Sequence, residues 1–251
     1  MIFSHRGHRE HGEKIEMEDE KIINSNCWVA WFDILGFRAL MSKYEKHLDV
    51  FVGTYYEDIL RTVNEKAGYW PKYVAPFWIS DTFVFYTFND SIEAFTCLNQ
   101  VARHFFEQIL YKIPLRGALS FGRLYADREK GIYLGPVLID AYEYAEKQDW
   151  VGFVLTPCAV EQLSKGDLSE YLARESDYKK YEVPVKLKES LGDEQLYAFK
   201  FYKNPNRVRK IQEWSHLAEK KGIKRITRKY QNTLQFIEKD EFSVSSVAKK
   251  L

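Results

Sequence analysis

Two runs of aromatic and β-branched residues, 73–79 and 82–88, are separated only by Ser80 and Asp81. Runs of this composition favour extended strands, and two intervening residues leave room only for a tight turn. The segment is therefore predicted to be a β-hairpin that carries Asp81 at its tip. Its strands are the second and third of the chain, because an earlier apolar run, 28–32, ends at Asp33 as a buried strand would end.

Helical spacing of apolar residues surrounds these strands. It predicts one bent helix or two over 37–63, and a clearly amphipathic helix over 92–110 that Pro114 ends. A strand is expected at 115–121, closed by Gly122, and then a hairpin of 123–126 with 131–134. A helix at about 136–147, a strand at 151–155, a short helix from Pro157 and strands at 181–187 and 195–202 follow. This βαββαβ order with two more strands is typical of an α+β sandwich of ferredoxin-like type.

The two ends of the chain depart from this pattern. Residues 1–25 are polar and acid-rich, and they are predicted to form a loose tail. His5, His8 and His11 are spaced to share a helical face and attract a metal, although a solvated tail is the favoured interpretation. Residues 203–229 carry ten basic and two acidic side chains. We therefore expect a main domain at 26–202 and a basic helical extension at 203–251.

Composition fits a globular protein. The 251 residues are 45% hydrophobic, and 37 basic side chains stand against 36 acidic ones, so disorder is excluded as the main state. No window approaches the roughly 18 consecutive apolar residues of a membrane span. Three dispersed cysteines form neither a disulfide framework nor a zinc motif, and we expect a cytoplasmic protein.

Asp33 and Asp81 are the first candidates for chemistry. In a βαββ arrangement the first and third strands pair, which brings a strand-end aspartate close to the hairpin tip. Two converging carboxylates repel each other unless a cation lies between them, and two divalent ions there would activate a hydroxyl and neutralise a triphosphate. The alternative is that both aspartates merely form turns.

Residues 31–40, around Asp33, resemble the first metal motif of the class III nucleotidyl cyclases, the adenylate and guanylate cyclase family. The resemblance implies that the Asp33 side chain and the Ile34 carbonyl hold two Mg²⁺ or Mn²⁺ ions. Ser80 and Asp81 resemble the family's glycine-aspartate hairpin, which supplies the second metal carboxylate. The similarity covers about two thirds of the chain, from 29 to 201.

Two further segments resemble the family's phosphate-binding parts. Residues 115–122 match an arginine-to-glycine strand, which implies that Arg116 contacts the triphosphate with a guanidinium suited to phosphate oxygens. Residues 183–188 and 195–199 resemble a strand pair whose lysine reaches the triphosphate. Lys186 and Lys188 both fit that position.

The departures concern base selection and the transition state. The positions that read a purine in the family are Phe77 and Ile132 here, so neither purine code is present. The family's transition-state asparagine and arginine fall on Ile139 and Glu143. Arg123, Asp140 and Tyr144 are candidate replacements.

The resemblance therefore implies a divergent cyclase similar to bacterial antiphage pyrimidine cyclases. It would convert UTP or CTP to the 3′,5′-cyclic monophosphate in a homodimer with shared active sites, and a separate effector would read the product. The alternative is a non-catalytic cyclase-homology module that binds a nucleotide or a protein partner. Nucleic-acid binding through the basic stretch, which includes Arg225, Arg228 and Lys229, is a third and less favoured possibility.

Overall fold

The computed structural model describes residues 22–57, 72–165, 177–186 and 195–248. An eight-stranded sheet has the order β2-β3-β1-β4-β6-β8-β7, and β5 pairs with the far end of β4. The strands are β1 (Ile22–Ile34), β2 (Val74–Ile79), β3 (Thr82–Thr87), β4 (Leu115–Asp127), β5 (Ile132–Leu134), β6 (Gly152–Leu155), β7 (Tyr178–Tyr181) and β8 (Leu196–Phe199). All these pairs are antiparallel except β4 with β6. The β2-β3-β1-β4 core confirms the predicted ferredoxin-like arrangement.

Helices connect and cover the strands. They are α1 (Phe37–Tyr44), α2 (Leu48–Phe51) with a π-helical turn (Val52–Glu57), α3 (Ile92–Ile109), α4 (Pro136–Lys147), α5 (Pro157–Leu163), α6 (Pro205–Lys220) and α7 (Lys224–Ala248). The side chain of Ser91 caps α3 by accepting a hydrogen bond from the Ala94 N–H. Residues 58–63, the end of the helix predicted at 37–63, lie outside the described residues.

The buried residues form two clusters, which correspond to the two faces of the sheet. The larger contains Phe32 and Phe85 from the strands together with Phe105 and Phe106 from α3. The smaller packs β1, β3 and β4 against Val137 and Ala141 of α4. Side chains alternate between faces along a strand, so Asp33 points to the same face as Val29, the face that α4 covers.

The predicted hairpin at Ser80 and Asp81 is confirmed. Ile79 pairs with Thr82, so the turn contains two residues. Ser80 has a φ of 58°, in the left-handed region that glycine adopts most readily. A small residue at this position therefore serves the same turn that glycine does.

Several predicted boundaries were wrong. β1 begins at Ile22 rather than after a tail ending at 25, because its first residues pair with the end of β4. β4 continues through Gly122 to Asp127 for the same reason. The strand predicted at 181–187 is β7 at Tyr178–Tyr181. Pro184 has no N–H to donate, and the chain from 184 to 186 instead pairs with 147–149. The last strand is also shorter than 195–202, because a 3₁₀ turn occupies Phe201–Lys203.

The predicted C-terminal helices are present as α6 and α7, and they share the main core. Ile211 and Ala218 of α6 and Tyr230 and Phe236 of α7 belong to the larger cluster. Phe236 packs edge-on against Trp150, with 4.8 Å between ring centroids. Within the part of the chain that the structure describes, no helix is both long enough and apolar enough to cross a membrane.

Candidate functional site

A cavity of about 450 Å³ opens where β1 ends and the β2–β3 turn lies beside it. One wall comes from residues 33–38 and from Asp81, Arg116, Glu146 and Lys186. The other comes from the start of α7 and the turn before it, through Ile223, Arg225, Ile226, Lys229 and Tyr230. Its volume is in the range of pockets that take small ligands.

The structure brings Asp33 and Asp81 together by strand pairing. Asp33 is opposite Thr82 in the β1–β3 ladder, and the N–H of Ile34 donates a 3.1 Å hydrogen bond to the carbonyl of Asp81. Both side chains line the cavity. Burial raises the pKa of Asp33 to about 6, with the charges of Asp81 and Glu146 adding to the increase and the Arg116 guanidinium opposing it.

Arg116 is the cross-strand partner of Asp33 in the β1–β4 ladder, and it is 95% buried. Its Nε and Nη2 donate to Oδ2 of Asp33 at 2.9 and 2.7 Å. Nη2 also donates to the Glu146 carboxylate, and Nη1 donates to the carbonyls of Glu146 and Gln148 at 2.7 and 3.0 Å. All five guanidinium N–H groups are therefore used inside the protein. The triphosphate contact implied for Arg116 would require some of these bonds to be exchanged.

Glu146, at the end of α4, links two of the predicted phosphate residues. Its carboxylate also accepts a hydrogen bond from Nζ of Lys186, and the backbone N–H of Lys186 donates to the Lys147 carbonyl. Lys186 thus lies at the cavity, whereas Lys188 lies outside the described residues. No sequence signal identified Glu146, because its role depends on where α4 ends relative to β4.

The proposed base-reading residues lie outside the cavity. Phe77 stacks on Tyr133 with ring centroids 4.0 Å apart and planes at 16°, and Ile132 precedes Tyr133 on β5. Phe77 shares a sheet face with Asp33, because it pairs with Val84 and Asp33 pairs with Thr82. Phe77 and Tyr133 therefore lie on the face of Asp33, whereas Ile132, the residue before Tyr133 on β5, points to the opposite face.

The two positions at which the family has transition-state groups, and the three candidate replacements, lie on or near α4. Ile139 is exposed, and Glu143 pairs with Lys147 on the helix surface. Asp140 accepts a hydrogen bond from Ser120, Arg123 donates to Asn24 on the surface, and Tyr144 packs against the core. These five side chains do not line the cavity.

The donors at the cavity are those that Mg²⁺ and Mn²⁺ prefer. Oδ2 of Asp33 takes both hydrogen bonds from Arg116, and its Oδ1 has no hydrogen bond to any described residue. With Asp81 and the Ile34 carbonyl it forms an all-oxygen set. No group of three His, Cys, Asp or Glu suited to a metal occurs in 22–57, 72–165, 177–186 or 195–248. A two-carboxylate site completed by substrate phosphates and water is the usual mode for Mg²⁺, so the residues fit the ion.

Sequence analysis did not assign the other wall of the cavity. Arg38 lies within the segment that resembles the metal motif, and Arg225 and Lys229 belong to the stretch for which nucleic-acid binding is the less favoured prediction. Several basic side chains of the segment 203–229 form ion pairs with acidic residues of this chain. Arg207 pairs with Glu107, and Arg228 and Lys229 both pair with Asp149.

Compared by sequence, the chain matches no protein-family model and no curated protein. Compared by structure, it is similar to the catalytic core of a rhodopsin-guanylyl cyclase with converted specificity in complex with ATPαS. The TM-score is 0.51 at 13% identity, over 71% of this chain and 96% of that one. The fold is that of a nucleotidyl cyclase catalytic domain. The adenylyl cyclase CyaB from P. aeruginosa also matches, with a TM-score of 0.46 at 13% identity, over 71% of this chain and 95% of that one.

Removing Arg116 is expected to destabilise the protein by about 3 kcal/mol, because it leaves the Asp33 carboxylate without its counter-charge and Glu146 with Lys186 alone. The matched control is Arg123→Ala on the same strand, where the side chain is exposed and its change should cost less than about 0.5 kcal/mol. Urea unfolding of Arg116→Ala and Arg123→Ala measures both. Equal unfolding midpoints would contradict the ion-pair network.

The raised pKa of Asp33 predicts a pH-dependent stability difference. The folded state holds this proton up to a pH of about 6, above the ordinary value of 3.8, so the contribution of Asp33 to stability falls as the pH rises through that window. Asp33→Asn has no such charge. Between pH 5 and pH 8, the free energy of unfolding of Asp33→Asn should rise by about 1–2 kcal/mol relative to that of the wild type. Thermal unfolding at both pH values checks this, with Asp90→Asn on the surface as control; a pH-independent difference for Asp33→Asn would contradict it.

Proposed function

We propose that this protein is a metal-dependent nucleotidyl cyclase, which converts a nucleoside triphosphate into a 3′,5′-cyclic monophosphate and pyrophosphate. The observation that carries the proposal is the pairing of Asp33 with Asp81 at a cavity of a cyclase-type fold. Both aspartates stand in segments that resemble the metal motifs of class III cyclases. A purely structural turn former would not need a second carboxylate beside it.

In this reaction the 3′-oxygen attacks the α-phosphorus and the bond to the departing pyrophosphate breaks. Asp33, Asp81 and the Ile34 carbonyl would hold the two Mg²⁺ or Mn²⁺ ions. Such ions lower the pKa of the attacking hydroxyl and neutralise phosphate charge. Lys186 faces the same cavity and adds positive charge beside the leaving group. Arg116 holds the Asp33 carboxylate in place through two hydrogen bonds to one oxygen.

A pyrimidine substrate, UTP or CTP, is the finer part of the proposal. Phe77 and Ile132 replace the polar residues that read a purine in the family, and Phe77 stacks flat on Tyr133. An aromatic surface such as that of Phe77 and Tyr133 contacts a base by stacking rather than by a purine-specific hydrogen-bond pattern. In keeping with its resemblance to antiphage cyclases, we propose that the product is a second messenger in antiviral defence, read by a separate effector in the cytoplasm.

A homodimer with shared active sites is also part of the proposal. Apolar side chains are exposed on β5 and α4, with 61% of the surface of both Leu134 and Ile139 accessible. Tyr142 of α4 is also exposed, and its ring centroid lies 5.5 Å from that of Trp31. Ile139 and Tyr142 are three residues apart on α4 and share a helix face, and exposed apolar groups that are grouped in this way mark interaction surfaces. A second copy placed there would pack against α4.

Turnover should require both carboxylates. The purified protein with Mn²⁺ and each of ATP, GTP, CTP and UTP is expected to yield cyclic UMP or cyclic CMP, identified by mass spectrometry. Asp33→Asn and Asp81→Asn should each lower the rate by about a thousandfold or more, because each removes a charge that holds a metal ion. Asp90→Asn, an exposed aspartate outside the cavity, is the matched control.

The outcomes of this assay separate the proposals. A purine product would retain the cyclase and overturn the base assignment. Absence of product from all four nucleotides, with a folded protein, would instead favour a non-catalytic module that binds a nucleotide or a protein partner.

The dimer surface predicts that a charge at Ile139 separates the protomers. Ile139→Glu places a carboxylate in an apolar contact, so the molar mass from light scattering should fall to that of a monomer and turnover should be lost. Leu217→Glu is the control, because Leu217 is an exposed leucine on α6. A dimeric and active Ile139→Glu would contradict the proposed surface.

A further inference from the structure

One wall of the cavity comes from a part of the chain that the cyclase resemblance does not reach. The resemblance ends near Phe201, whereas Ile223, Arg225, Ile226 and Lys229 belong to α7 and the turn before it. This wall faces the residues that would bind the metal ions. The side chains that this wall contributes to the cavity are basic or apolar, apart from Tyr230, and none of them is a carboxylate.

Buried contacts fix α7 in this position. Arg228 and Lys229 pair with the buried Asp149 at 2.6 and 2.8 Å. One turn further on, Asn232 donates to the Asp149 carbonyl at 2.8 Å, and Thr233 accepts from the Val151 N–H at 2.9 Å. The start of α7 is therefore held against the entry to β6, and the place of Arg225 beside the cavity follows from the packing of the helix.

The charges that line the cavity are unbalanced. Asp33 and Glu146 neutralise Arg116, Glu146 also pairs with Lys186, and Asp149 pairs with Lys229. Asp81 is the remaining carboxylate that lines the cavity. Arg38 and Arg225 line the cavity too, and both are exposed. Neither guanidinium group has a hydrogen bond or an ion pair with any residue in the described part of the chain. Two guanidinium groups are thus available to a ligand.

Two further observations show that positive charge accumulates here. Burial lowers the pKa of Lys229, Asp149 opposes this decrease, and the charges of Arg116 and Lys186 add to it. The first turn of α7 carries Lys224 and Arg225 and no acidic residue, although cations are unfavourable at the positive end of a helix dipole. An anion in the cavity would relieve both effects.

We propose that Arg225, assisted by Arg38, binds the β- and γ-phosphates of the nucleoside triphosphate, and that Arg116 positions the Asp33 carboxylate. This inference rests on the proposed cyclase function and deepens it. A free guanidinium donates parallel hydrogen bonds to phosphate oxygens, whereas the donors of Arg116 are already used. The C-terminal helices would then form part of the substrate site.

The size of the cavity favours a phosphate chain over a polynucleotide. About 450 Å³, enclosed by two walls, fits a small molecule, whereas a nucleic acid needs an extended basic surface. Arg207, Arg228 and Lys229, which belong to the basic segment, are already paired with acids of this chain. Arg209, Lys220, Lys221 and Lys224 are exposed outside the cavity. Within the segment, Arg225 is the basic residue that lines the cavity and has no ion pair with a described residue.

Binding of inorganic tripolyphosphate in excess Mg²⁺ to the full chain, measured by calorimetry, tests the inference. Arg225→Gln is expected to weaken binding by about tenfold or more, and Arg225→Lys by less, because lysine keeps the charge but lacks the paired donors. Arg209→Gln is the matched control, since Arg209 is exposed on α6 and does not line the cavity. With the favoured nucleotide, Arg225→Gln should raise KM more than it lowers kcat.

The outcomes distinguish this inference from the proposed function. Tripolyphosphate binding that depends on Arg225, in a protein that makes no cyclic nucleotide, would support the phosphate site and overturn the cyclase. A cyclase in which Arg225→Gln binds tripolyphosphate as the wild type does would overturn the site alone. Absence of tripolyphosphate binding by the wild type, or binding of a short single-stranded RNA that Arg225→Gln and Arg209→Gln weaken equally, would also overturn it.

Discussion

The buried ion pair between Arg116 and Asp33 joins the sheet to its cavity. It exists because β1 and β4 are in register, which places the two residues opposite each other on the face that α4 covers. Glu146 and the Gln148 carbonyl complete the guanidinium shell from the end of α4. The pair supplies a positive charge to a buried carboxylate, and it fixes one oxygen of Asp33 while the other is left for a ligand.

The same network explains why a cyclase-type core and a basic C-terminal extension form one unit. The charges of Arg116 and Lys186 lower the pKa of Lys229, and Lys229 forms an ion pair with Asp149, just before β6. The extension therefore contributes to the main core and to the cavity at once. A segment whose composition resembles a nucleic-acid interface contributes, in this fold, one wall of the cavity.

The features that depend on local sequence patterns could be predicted from the sequence. Alternation and turn chemistry located the hairpin at Asp81, and strand order placed Asp33 beside it. Pro184 gave a local signal that was missed, and it shortened a predicted strand. The bonds of Arg116 to Glu146, 30 residues away, depend on how α4 packs on the sheet, so no spacing rule reveals them. The position of Arg225 likewise depends on tertiary contacts of α7.

The central claim is that Asp33 and Asp81 form one metal site at this cavity. Crystals grown with Mn²⁺ and a non-hydrolysable UTP analogue, measured at the manganese absorption edge, test it most directly. The account predicts anomalous peaks between the two carboxylates, with the phosphate chain extending towards α7. Manganese bound elsewhere, or a nucleotide seated away from Asp33 and Asp81, would contradict it.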